Sequence, residues 1–110
     1  MRVLIQVVTK TDITSLRSEI SKSDRMESFG LRLAYSRKLG RKNGWTKLKS
    51  SDKEVLGAVN VRWDASLALM MCVVTTRTDS MPSALMAAFL HYILADYGHE
   101  IASVNIVPRG

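Results

Sequence analysis

Between Leu31 and Lys53 stand eight bases, Arg32, Arg37, Lys38, Arg41, Lys42, Lys47, Lys49 and Lys53, against one acid, Asp52. The stretch therefore carries a net charge of +7, whereas the whole 110-residue chain carries +6, so everything outside it is slightly acidic. Cations gathered this densely suit a polyanion, because each phosphate they neutralise releases condensed counterions. Tyr35 and Trp45 lie in the same stretch and offer π-faces on which unpaired bases can stack. The candidate contacts are Arg37, Lys38, Arg41, Lys42, Lys47 and Lys49 for phosphate, with Trp45 for stacking or for anchoring the hairpin. A blander use competes: lysines on an edge strand blunt unwanted sheet pairing, and both aromatics can serve a core.

Other chemistry is thinner. His91, Asp96, His99 and Glu100 cluster in sequence, but a helical metal site wants ligands three or four residues apart on one face. His91 and Asp96 are five apart, and His99 lies beyond the glycine that should end the helix. Gly40-Arg41-Lys42-Asn43-Gly44 lacks the Gly-Lys-Ser/Thr of a phosphate loop and precedes a strand instead of a helix. No serine sits in a nucleophile elbow. The carboxylates of Asp52, Glu54 and Asp64 are not brought together by spacing alone. The lone cysteine, Cys72, lies in the apolar run 67–74 and is expected to pack as a small buried hydrophobe. No catalytic residue, metal or cofactor is assigned.

The elements that must hold these residues are read from periodicity. Residues 2–9 are β-rich and form a first strand. Thr11, Asp12 and Thr14 offer N-caps for a helix over 13–22, with Ile13, Leu16 and Ile20 at helical spacing. Residues 21–30 form a loop with room for one more helical turn. Leu31, Leu33, Tyr35 and Leu39 then share one parity of a half-buried strand, which Arg37 interrupts. Asn43-Gly44 signals a tight hairpin, since both residues tolerate positive φ. Trp45, Lys47 and Lys49 fall on one face of the returning strand. Residues 55–63 alternate, Asp64-Ala65-Ser66 makes a tight connection, and 67–76 form an apolar strand expected to be central and covered on both faces. Asp79-Ser80-Met81-Pro82 starts a second helix, Gly98 stops it, and a last strand reaches Pro108.

The order β-α-β-β-β-β-α-β lacks the regular alternation of a parallel doubly wound sheet. It implies a single α+β domain over residues 1–110, with a mostly antiparallel sheet of five to six strands and two helices on one face. A ferredoxin-like plan with an inserted basic hairpin is one way to arrange it. Helix 82–97 is unusually apolar, with Ser83, His91 and Asp96 as its clearly polar residues. Its alanines could form the outer face, but the general apolar richness, six methionines included, tips the expectation to a homodimer that covers this helix. No segment approaches the roughly 18 apolar residues of a membrane span, and the short apolar start lacks the marks of a signal peptide. A cytoplasmic protein is expected. Its function is expected to be binding of RNA or another single strand through the 31–53 hairpin. The alternative is a small oligomeric scaffold, adaptor or ligand-binding protein with no nucleic-acid role.

Overall fold

The computed structural model describes residues 1–10, 15–37, 45–77 and 82–108, with the backbone alone at 36 and 37. Six strands, β1 (Arg2–Thr9), β2 (Leu31–Arg37), β3 (Trp45–Ser50), β4 (Ala58–Asp64), β5 (Leu69–Thr75) and β6 (Ile101–Pro108), form one sheet. Its order is β2-β3-β4-β5-β1-β6, and every neighbouring pair is antiparallel. Two helices, α1 (Leu16–Lys22) and α2 (Ser83–Tyr97), complete the α+β class that the element order implies. Short 3-10 turns at Met26–Phe29 and Gly98–Glu100 join them to the sheet.

Both helices lie on the same face. Val3, Ile5 and Val7 of β1, Leu48 of β3, Val59 and Val61 of β4, and Met70, Cys72 and Val74 of β5 are buried beneath them. From α1 the core takes Leu16 and Ile20; from α2 it takes Leu85, Phe89, Tyr92 and Ile93. Those spacings of four, seven and eight residues mark one side of a 3.6-residue repeat. Burial also pushes the Cys72 thiol pKa upward, so the expected inert packing role holds.

Among the described residues no helix lies over the opposite face of the sheet. Strand β5 is central, but the expectation that it would be covered on both sides fails. Met70, Cys72 and Val74 are buried, while Leu69, Met71, Val73 and Thr75 remain half-exposed between them. The described residues form two helices, and the core claims both.

Local boundaries differ from expectation where side chains bond to backbone. Helix α1 is capped by Ser15, whose hydroxyl accepts from the Ser18 amide at 3.2 Å, so its first turn begins at Leu16. The proposed caps Thr11, Asp12 and Thr14 lie outside the described residues, as do the Asn43-Gly44 turn and most of the signal before α2. Strand β5 begins at Leu69, two residues later than the apolar run suggests. The Asp64 carboxylate accepts from the amides of Ser66 at 3.0 Å and Leu67 at 3.3 Å, which commits those residues to a turn. Ala68 completes the turn with a φ of 48°.

Helix α2 resolves its own apolarity. Its outward residues include Ala84, Ala87 and Ala95 with Ser83 and His91, and Leu94, at 51% exposure, is its only large exposed apolar side chain. Among the described residues no helix is long and apolar enough to cross a membrane.

Candidate nucleic-acid interface

The geometry of the site begins on β3. Thr46 and Leu48 are fully buried against the helices. The Thr46 hydroxyl lies 2.6 Å from that of Ser21 and accepts from Arg17 at 3.3 Å, both on α1, so its polar atom is satisfied. Because strand side chains alternate, fixing Thr46 and Leu48 inward directs Trp45, Lys47 and Lys49 to the open face. The shared face expected of these three residues is therefore present.

Strand β2 then departs from simple alternation. Leu33 pairs with Leu48 but Tyr35 pairs with Lys47, leaving Ala34 as the extra residue of a β-bulge. One added residue reverses the side of everything beyond it. Tyr35 thus leaves the parity of Leu31 and Leu33, contrary to the sequence reading, and joins Lys47 on the open face. It is 46% exposed, and its ring centroid lies 5.0 Å from that of Trp45 at an interplanar angle of 39°. The Lys47 ammonium stands 6.0 Å from the centre of the Trp45 ring, at the outer limit of a cation–π contact.

Register carries the surface across the sheet. Trp45 pairs with Arg62, Arg62 with Met71, Met71 with Gln6, and Gln6 with Asn105. A second row runs from Tyr35 through Lys47, Asn60, Val73 and Leu4. Arg32 pairs with Lys49 at the β2 edge, and Arg2 pairs with Thr75 on the far side. Five cations, Arg2, Arg32, Lys47, Lys49 and Arg62, thus occupy open-face register positions. Among the described residues none of the five forms an ion pair; the one Lys/Arg–carboxylate bridge, Arg25 to Asp96 at 2.9 Å, lies with the helices. Asp64, the acid on this face, is held below the usual carboxylate pKa by hydrogen bonds from the Ser66 hydroxyl and the turn amides. It therefore keeps its negative charge, at the turn end of β4.

Arg37 pairs through its backbone with Trp45, while Lys38, Arg41 and Lys42 lie outside the described residues. Arg2 and Arg62 are additions that sequence reasoning missed, and Arg32, counted among the bases of the stretch, was not among the candidate contacts. Arg62 was legible as the polar partner of Val61 in an alternating strand, but nothing local says that β4 lies beside β3.

Two depressions mark the open face. One, of about 660 Å3, is lined by Arg2, Leu4, Met71, Val73 and the Met1–Thr76 contact; the other, of about 420 Å3, lies between Lys47, Lys49, Gly57 and Arg77. They meet at Thr75 and Thr76. The sequence cluster at 91–100 divides instead. His91 stacks edge-on against Phe29 at 4.9 Å, Asp96 binds Arg25, and no group of three or more metal-ligating side chains occurs among the described residues. Comparison with protein-family models, with curated proteins and with solved structures finds no match to this chain.

Proposed function

We propose that this protein binds single-stranded nucleic acid, RNA in the first place, on the open face of its sheet. The observation that carries the reading is the Tyr35–Trp45 ring pair, Tyr35 exposed and Trp45 half-buried, on the same face as Lys47, Lys49 and Arg62. Stacked aromatics on an open antiparallel sheet accept unpaired bases, which a duplex keeps buried in its own stack. The surrounding cations track the backbone, and among the described residues none of them has a carboxylate partner. Asn60, Gln6 and Asn105 add neutral donors and acceptors suited to base edges and to the ribose 2′-hydroxyl, which favours RNA. Neither helix offers a basic face for a groove: α2 contains no lysine or arginine.

A homodimer through residues 82–97 gains little support from this arrangement, since small or polar residues on the outward side of that helix leave Leu94 as its one large exposed apolar side chain. The proposed interface needs no second copy. Titration of fluorescent single-stranded RNA and DNA at several salt concentrations tests it. With five phosphates engaged, log affinity should fall with log salt at a slope of about −3.5. Absence of binding at low salt, or binding that ignores salt, would sink the proposal.

A further inference from the structure

The depression between β3, the start of β4 and the end of β5 has a composition unlike the rest of the open face. Lys47, Lys49 and Arg77 border it together with Thr75 and Thr76, Leu56 and Ala58 add apolar wall, and among the described residues its lining includes no carboxylate. Gly57 forms part of its wall with a φ of +110°, and a Cβ there would lie 2.4 Å from the Thr75 carbonyl oxygen. The close approach of those two strand ends therefore requires glycine. Lys47 belongs both to this depression and to the aromatic site, through its contact with Trp45.

Three cations bordering one concave site exceed what an internal phosphodiester, with its single charge, can use. A phosphate monoester carries a charge of about −1.5 to −2 near neutral pH and presents three acceptor oxygens. Lysine ammonium groups, an arginine fork and threonine hydroxyls are the donors that such a group takes. We propose that this depression holds the terminal phosphate monoester of the bound single strand, with the adjoining nucleotides laid towards Trp45 and Tyr35. This rests on the open-face reading and adds an end preference to it.

The test compares one short RNA in three forms: 5′-phosphorylated, 3′-phosphorylated, and with both ends hydroxyl. One phosphorylated form should bind about tenfold more tightly than the hydroxyl form, the scale of charge-assisted hydrogen bonds gained at one group. The preferred form names the end. The single substitution Arg77→Gln, at a cation outside the stacking surface, should cut this preference severalfold while the hydroxyl-ended RNA binds as before, and folding of the variant is checked by its denaturation midpoint. Equal affinity for all three forms overturns the terminal-phosphate inference and leaves the open-face interface standing. No binding of any form removes both, and a preference undiminished by Arg77→Gln places the phosphate elsewhere and overturns the assignment.

Discussion

The two faces of strand β3 have the same neighbours in the sheet and opposite tasks. On one side Thr46 and Leu48 are sealed against α1 and the core, with the Thr46 hydroxyl bonded to Ser21 and Arg17. On the other, Trp45, Lys47 and Lys49 meet solvent, two of them positively charged and without ion-pair partners among the described residues. The contrast shows that this chain uses alternation to separate stability from recognition. The buried face fixes where the strand lies, and the open face is then free to hold charge and aromatic surface that a core would not tolerate.

Adjacent single substitutions test that separation most strongly. Leu48→Ala should cost about 2–5 kcal/mol of stability, the usual range for emptying a buried leucine site. Lys47→Ala, one residue away, should change stability by no more than about 0.5 kcal/mol while weakening nucleic-acid binding and flattening its salt slope. Urea denaturation and RNA titration on both variants make the comparison. If Lys47→Ala destabilises as much as Leu48→Ala, the two faces are not separate in function.

A smaller effect sharpens the open-face side. Trp45→Ala should lower affinity for single strands by about 1–3 kcal/mol, the scale of one lost stacking interaction, while leaving the salt slope nearly unchanged, because the cations remain. Loss of its contact with Tyr35 should cost only about 0.5–1.5 kcal/mol of stability. An affinity equal to that of the unsubstituted protein would reduce the ring pair to a structural contact and leave charge alone to explain binding.

Much of this face was legible before any coordinates. Alternation put Trp45, Lys47 and Lys49 together, and the charge count located the basic stretch. Two features were hidden for identifiable reasons. The bulge at Ala34 depends on how β2 is held against β3, so a straight reading of Leu31, Leu33 and Tyr35 as one parity put Tyr35 on the wrong side. The contributions of Arg2 and Arg62 depend on strand order, a long-range property of a sheet whose first strand lies between the fifth and the sixth. Burial of β5 was overestimated because an apolar run signals apolar surroundings without saying how many helices are available to supply them.

The helix side also holds like charges, and there the proximity is unfavourable. Glu19 of α1 and Glu100 beside β6 each bury one carboxylate oxygen that no donor from another described residue satisfies, which leaves the two carboxyls to each other. Partial burial raises the Glu19 pKa above its ordinary 4.5, and the charge and hydrogen bonding of Glu100 raise it further, against a smaller lowering by His99. A carboxyl whose folded pKa exceeds its unfolded value binds more protons when folded, so it opposes folding above that window and less so as pH falls through it. Asp64 has the opposite sign, its folded pKa lying below the ordinary 3.8, so its stabilisation is lost only at lower pH. The two windows therefore separate. Glu19→Gln should stabilise the protein at pH 7 by less than about 1 kcal/mol, given solvent screening of the pair. That gain should shrink as pH falls towards the ordinary glutamate value of 4.5, with little further change where Asp64 titrates. Denaturation midpoints of both proteins from about pH 3 to about pH 8 give the comparison, a range that covers the approach to the ordinary glutamate value and enters the Asp64 window. A gain that persists undiminished at the acid end would mean that the substituted amide acts through packing, and that carboxylate crowding at Glu100 contributes nothing.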